Sequence, residues 1–320
     1  MIKIKNYSKI ENIIELNTEV INGKSSEIIK LAEKDHEKRL DDLVKKIIGN
    51  NELKIILISG PSSSGKTTFA QKLERKLYEK RRKSIIISMD NYFKDIGDTP
   101  IGIDGKPDYE SLYALEIELF QNQINDLINK KYIRMPHYDF KKGRKIYDNN
   151  YLKLKNNEFI IIEGIHAFNP KVLQNIDSKY KFKIFVVPII NLKEDTKNIK
   201  NISSKDTRLI RRIVRDVSSR GVTVEKTLEL WPKVIKSEEN NIFKYINTAN
   251  YIYNTSLVYE LGVIKEFALK QLSNIDELSI YYNEVKRLNE LLNKFKKIET
   301  QNIPNDSIIR EFIGNGCFYR

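Results

Sequence analysis

Two apolar patterns alternate along the chain. Short runs bounded by turn residues occur at Ile55 to Ile58, at Ser84 to Ser88, from Glu158 to a close at Glu163-Gly164, at Phe182 to Pro188 and, briefly, at Tyr251 to Tyr253. Their length and β-branched content predict five strands, most of them buried on both faces. Between them lie stretches in which apolar residues recur every three or four positions, which predict helices over 26–48, 69–82, 110–130, 206–221, 257–272 and 275–297. In the first of these Ile28, Leu31, Leu40, Leu43 and Ile47 sit among charges, Gly49 closes the pattern, and His36 is expected to be a solvated helix residue. Residues 1–25 have weak periodicity. Strands alternating with helices predict an α/β fold with a mostly parallel sheet and helical extensions at both ends. The division expected is an accessory segment over 1–50, a main domain over 51–260 and a C-terminal extension over 261–320.

The stretch that organises the rest is KIILISGPSSSGKTT, Lys54 to Thr68. A buried strand runs into Gly60-Pro61-Ser62-Ser63-Ser64-Gly65-Lys66-Thr67, followed by Thr68, and matches G-x-x-x-x-G-K-[ST] without a mismatch. The glycines let backbone N–H groups turn inward around an anion, and the helix after Gly65 points its positive end at the same place. Lys66 is expected on the β- and γ-phosphates and the Thr67 hydroxyl on Mg²⁺. The fold expected is therefore a three-layer fold of the P-loop NTPase type.

Acidic residues close the next two buried strands. Asp90, in SMDNYF, stands where open parallel sheets hold their ligands and can accept a hydroxyl proton or lean toward Mg²⁺; the plain alternative is a turn or capping Asp. Glu163, in IIIEGI, is expected to be the second metal-organising carboxylate, and His166 a structural histidine. The loop over 94–109, with Gly97, Pro100, Gly102, Gly105 and Pro107, is long enough to suggest function. The segment MPHYDFKKGRK, residues 135–145, reads as an aromatic and basic turn, where Tyr138 either stacks on a base or packs on the loop.

In DTRLIRRIVRDVSSRG, Asp206 to Gly221, arginines 208, 211, 212 and 215 recur at i, i+3, i+4 and i+7, so a helix places all four on one face. Arginine suits bidentate phosphate recognition, and beside a phosphate loop such a helix reads as a phosphate lid. Taken alone, the same stripe equally fits a nucleic-acid surface or a solvated basic face.

Composition narrows the setting. The chain of 320 residues has 40% hydrophobic content, enough for a sizeable core, and Cys317 is its one cysteine, which rules out an internal disulfide framework and a cysteine-based metal site. No apolar run approaches a membrane span and the start lacks a signal-peptide core, so a cytoplasmic protein without a membrane partner is expected. The formal charge of +13 comes largely from Lys scattered among Asn and Ile, which favours a solvated surface; nucleic-acid binding is not expected.

The set GPSSSGKTT, SMDNYF, PHYDF, IIIEGI and DTRLIRRIVRDVSSRG, in this order, resembles the uridine kinase and phosphoribulokinase family over about residues 50–260. The likeness is closer to a bacterial subgroup of uridine kinase-like nucleoside kinases, whose longer members carry domains like those of threonyl-tRNA synthetase. The resemblance implies ATP and Mg²⁺ as cofactors and Asp90 as the base. It implies Thr67, Asp90 and Glu163 around the metal, Arg215 and Arg220 on the transferred phosphate, and Asp104, Tyr138 and Arg212 at the acceptor. Departures concentrate at the acceptor: KKGRK follows YDF where a histidine is expected, and Val222 and Leu230 replace an arginine and a glutamine. The ribose-holding D-x-P-D becomes Asp104-Gly105-Lys106-Pro107-Asp108, one residue longer.

The function expected is transfer of the ATP γ-phosphoryl group to a small-molecule hydroxyl, first of all the 5′-hydroxyl of uridine or cytidine. The alternatives are a kinase for another small hydroxyl compound, a nucleotide switch, and an RNA-associated ATPase. Against the switch, the chain has no N-K-x-D and no D-x-x-G after the loop. The C-terminal helices are expected to add little chemistry and to cover the sheet or join a homo-oligomer.

Overall fold

The computed structural model describes residues 10–102, 105–140, 142–194 and 201–318. The strands among them are β1 (Ile55–Ser59), β2 (Ser84–Ser88), β3 (Ile133–Asp139), β4 (Arg144–Leu152), β5 (Phe159–Glu163), β6 (Lys181–Val187) and β7 (Tyr251–Asn254). Five of these form a parallel sheet in the order β2-β5-β1-β6-β7. Every residue of β1 and of β5 is buried, because helices cover both faces of the sheet.

The nine helices of the described residues are α1 (Ile13–Ile21), α2 (Ser25–Ile48), α3 (Lys66–Glu79), α4 (Ile117–Ile128), α5 (Ser204–Arg220), α6 (Val224–Asn241), α7 (Glu260–Leu272), α8 (Tyr282–Asn293) and α9 (Arg310–Ile313). Alternate side chains of β1 feed two cores. Ile56 and Ile58 pack in the cluster that holds Leu73 and Leu77 of α3, Ile213 of α5 and Leu43 of α2. Ile55 and Leu57 join Phe120 and Ile124 of α4 and Tyr92 on the other side. The result is the expected three-layer α/β architecture, with β1 and its loop at the centre.

Several local expectations are corrected. Residues 135–145 are no simple turn: they end β3 and begin β4, which pair as an antiparallel hairpin with an irregularity between Arg134 and Pro136. The helix expected from 110 starts only at Ile117, after a short 3₁₀ turn at Leu112–Ala114. Helix α1 was not legible in the weak periodicity of 1–25; the Asn12 side chain caps it by accepting from Glu15 N at 2.8 Å. His36 is buried, not solvated, and Tyr253 donates to its carbonyl at 3.0 Å. Burial holds the His36 imidazole well below its usual pKa, and the charges of Arg39, Lys72 and Arg211 push it the same way.

The chain beyond α8 returns to the centre of the molecule. Ile303, Ile308, Ile309 and Phe312 are buried in the same core cluster as α2, α3 and α5. Asp306 pairs with Lys72 and Arg75 of α3, and Ser307 donates to Glu33 of α2. This segment therefore ties α2 to the helix that follows the phosphate loop. Among the described residues no helix is long and apolar enough to cross a membrane.

Candidate functional site

The loop between β1 and α3 lies at the C-terminal edge of the sheet, as parallel strands require of a ligand site. Its two glycines are there for different reasons. A Cβ on Gly60 would come within 2.0 Å of the Val186 carbonyl oxygen, so the loop passes too close to β6 for any side chain. Gly65 has φ +85°, a left-handed turn that sends the chain into α3. Ser63 also adopts positive φ, at 58°, which completes the curl.

Two buried ion pairs brace this loop from behind. Arg208 donates to both oxygens of Glu238 at 2.8 Å and to Ser62 O at 3.3 Å, while Glu238 accepts from Ser62 N at 2.7 Å. Arg211 is bidentate to Glu260, at 3.1 and 2.6 Å, and also reaches Ser63 O and Thr255 O. Both guanidiniums are about 1% exposed. The expectation that all four arginines form a phosphate-facing stripe is thus corrected for Arg208 and Arg211: their face of α5 is turned into the protein, and their charges are consumed by Glu238 and Glu260.

Arg212, Arg215 and Arg220 remain at the site and converge on Asp216, which is 3% exposed. Arg212 donates to Asp216 Oδ2 at 3.1 Å, Arg215 to Oδ1 at 2.9 Å, and Arg220 stands 3.8 Å from Oδ1. Arg212 also donates to Ser62 Oγ at 2.9 Å and so links this fan to the loop. Asp216 sits four residues after Arg212 and four before Arg220, a spacing that puts all three on neighbouring turns. That spacing is legible in the sequence.

Lys66 donates to Pro61 O at 3.0 Å. Burial pulls its pKa down, against the field of Glu163, Asp90, Glu238 and Glu311. Asp90 follows β2 and is open to solvent, whereas Glu163 at the end of β5 is 5% exposed and accepts from Ser88 Oγ at 2.5 Å. Burial first, and then the nearby Asp90 charge, push Glu163 up to about 7. Surrounding protein also raises the Asp90 pKa, a push that its exposure lets water screen, while Lys66, Arg220 and Arg215 lower it. These charges place Lys66, Asp90, Glu163 and the arginine fan in one electrostatic neighbourhood.

The remaining expected residues fare differently. Tyr138 is 2% exposed, its ring 5.5 Å from Phe93 and 5.0 Å from Phe140, so it packs under the hairpin instead of offering an open face. Asp104 lies outside the described residues. Thr67 is exposed at the start of α3. His166 is buried and structural as expected: its Nε2 lies 3.0 Å from the Glu110 carbonyl, and burial lowers its pKa to about 4. Burial raises the Glu110 carboxyl to about 7, with the charge of Arg212 acting against it and those of Glu238 and Asp90 with it.

The C-terminal segment supplies the residue least visible in the sequence. Glu311 accepts from Thr68 Oγ1 at 2.7 Å, and Ile308 would lie 3.0 Å from a Cβ on Gly65. Phe312 stacks under Arg211, with the guanidinium carbon 4.9 Å from the ring centre. The expectation that the last sixty residues add little to the site is corrected accordingly.

The sequence model of the Phosphoribulokinase / Uridine kinase family matches residues 55–257. A uridine kinase of Borrelia duttonii is 33% identical over 186 residues, covering 58% of this chain and 78% of that protein. One from Leuconostoc citreum is 29% identical over 182 residues, covering 57% and 77%. A Bacillus stearothermophilus structure described as a possible uridine kinase superposes with a TM-score of 0.44 at 18% identity, covering 68% of this chain and 98% of that one, a likeness too distant to carry an argument.

Proposed function

The chain belongs to the phosphoribulokinase and uridine kinase family, and on that footing we propose that it transfers the γ-phosphoryl group of ATP to the 5′-hydroxyl of a pyrimidine nucleoside. The observation that carries this reading is the phosphate loop, closed by Gly60 and Gly65, with the Arg212, Arg215 and Arg220 fan tied to it through Ser62. A carboxylate there meets a hydroxyl, and the cations around it meet phosphate oxygens.

The loop fits a triphosphate. The Ser63 and Ser64 hydroxyls are buried without a hydrogen-bond partner, donors that a phosphate would satisfy. Thr67, Asp90 and Glu163 are all oxygen ligands, suited to a hard cation. Among the described residues no three acidic, His or Cys side chains converge into a cation cage of their own. Such a site suits Mg²⁺ held jointly by one or two carboxylates and nucleotide phosphates. Mg²⁺ would neutralise charge on the β- and γ-phosphates.

The chain's own groups then have distinct tasks. Lys66 holds the phosphate chain, and the loop amides fix its path. Asp90 accepts the proton of the acceptor hydroxyl as its oxygen bonds to the γ-phosphorus and the bond to the β–γ bridging oxygen breaks, releasing ADP. Arg215 and Arg220, held by Asp216, neutralise charge that develops on the transferred group, and Arg212 with Glu110 lines the acceptor side. The test is product identification by mass spectrometry after incubation with ATP, Mg²⁺ and uridine or cytidine. Nucleoside monophosphate supports the reading; ADP formed only with a different hydroxyl compound replaces the acceptor and leaves the chemistry.

A further inference from the structure

The end of the sheet opposite the phosphate loop carries a surface that phosphoryl transfer does not use. Tyr78 at the end of α3, Tyr132 before β3 and Tyr151 near the end of β4 are 64%, 66% and 63% exposed. They are half of the exposed large aromatics among the described residues, the others being Tyr113, Phe140 and Tyr147. All three line one hollow of about 700 Å³ together with Lys83, Lys153 and Lys155. Three exposed tyrosine rings in one hollow, one of them already faced by a lysine, make an aromatic surface on which a further ring can stack.

The cations there are interleaved with the rings. Lys153 Nζ lies 4.8 Å from the centre of Tyr132. Arg134 is the cross-strand partner of Tyr151 and places its guanidinium carbon 5.5 Å from the ring of Tyr147, which extends the pattern along the hairpin. Lys83, just after the α3–β2 turn, lines the hollow, and Lys130-Lys131 precede Tyr132 in the chain. Two acids, Glu74 and Glu158, also line it, and Glu158 is engaged by the Lys155 amide at 2.8 Å. The basic residues outnumber them, so this end holds a share of the +13 that looked merely scattered along the sequence.

We propose that this basal hollow binds single-stranded nucleic acid, its bases stacking on the tyrosines and its phosphates meeting the lysines. Alternating aromatic faces and cations suit a strand whose bases are free, and a duplex hides those faces. Beside the tyrosine rings, the aliphatic side chains in the lining are Ile85 and Leu152. The hollow begins at Lys83 and Ser84, the N-terminal end of β2, whereas Asp90 follows the C-terminal end of that strand. It can therefore be altered without touching the phosphate-loop site.

The experiment is fluorescence anisotropy of the full chain with a labelled single-stranded RNA of about twelve nucleotides, a length within the usual site sizes. Kd is expected to rise roughly tenfold or more between about 50 and 200 mM KCl. Tyr132→Ala with Tyr151→Ala should weaken binding by about tenfold or more, while the paired Phe substitutions retain it, because rings stack with or without the hydroxyl. Lys83→Glu, Lys153→Glu and Lys155→Glu together should flatten the salt dependence. Unfolding midpoints and ADP release should match the unaltered protein in every variant. Absence of binding at low salt, binding that survives the paired alanines, equal preference for duplex, or capture by phosphatidylserine vesicles without RNA binding would each overturn the proposal.

Discussion

Glu311, near the C-terminus, accepts a 2.7 Å hydrogen bond from the hydroxyl of Thr68 in the first turn of α3. The family match ends at residue 257, so a contact to the phosphate loop comes from chain outside it. Glu311→Ala should lower stability by about 1.5–3 kcal/mol, the net worth of a hydrogen bond to a charged group, and should change KM for ATP more than kcat. Chemical denaturation and steady-state kinetics on the same preparation would read both.

The same segment is held by Ile303, Ile308, Ile309 and Phe312, each at most 4% exposed. Burying such side chains stabilises by roughly 1.5–3 kcal/mol apiece, and a domain's net stability is only about 5–15 kcal/mol. A chain ending at Thr300 should therefore fail to fold cooperatively. Circular dichroism melts would show it, and a sharp transition near that of the full chain would refute it.

Arg208 and Glu238 form a buried pair whose two ends both touch Ser62. Arg208→Ala leaves the Glu238 charge buried without its partner, at a cost of about 3–5 kcal/mol. Loss of that magnitude should be visible as a lowered urea midpoint, together with weakened nucleotide binding because Ser62 is no longer held. Replacing both residues by apolar ones of similar volume should recover much of the stability but not the loop geometry.

His166 sets a pH dependence. Its folded pKa of about 4 lies below the ordinary 6.5, so the unfolded chain takes up its proton first. The neutral form is fully compatible with the fold above about 6.5, and stability from this group is lost as pH falls from there toward 4. The loss approaches about 3 kcal/mol if the whole shift is expressed. His166→Gln should be less stable at pH 7.5 yet show a flatter decline between pH 7 and 5 than the unaltered protein.

Much of this organisation was legible in the sequence. The phosphate loop, the five parallel strands and Asp90 and Glu163 at strand ends follow from local pattern, because apolar runs and glycine requirements are local properties. The fates of Arg208 and Arg211 were not legible: helical spacing places four arginines on one face, but only the distant Glu238 and Glu260 decide that two of them point inward. The burial of His36 and the contact of Glu311 were not legible for the same reason, since Tyr253 and Thr68 lie hundreds of residues away in the chain. The β3–β4 hairpin is not legible because its second strand is mostly exposed and polar, with no apolar alternation to announce it. Asp216, by contrast, is readable from its spacing to Arg212 and Arg220.

Asp90→Asn tests the assignment of the base. A positioned base contributes about two to four powers of ten, so kcat should fall by that amount with the structure intact. Nearly full activity would remove Asp90 from the mechanism.

If the phosphate loop serves phosphoryl transfer to a small hydroxyl compound, turnover must depend on both the acceptor and Lys66. ADP release by the purified chain with ATP and Mg²⁺, across uridine, cytidine and other small alcohols and with Lys66→Ala alongside, tests it most directly. Acceptor-dependent turnover that vanishes in Lys66→Ala is the predicted result, fastest with a pyrimidine nucleoside. ADP release independent of every acceptor, or turnover unaffected by the loss of Lys66, would contradict it.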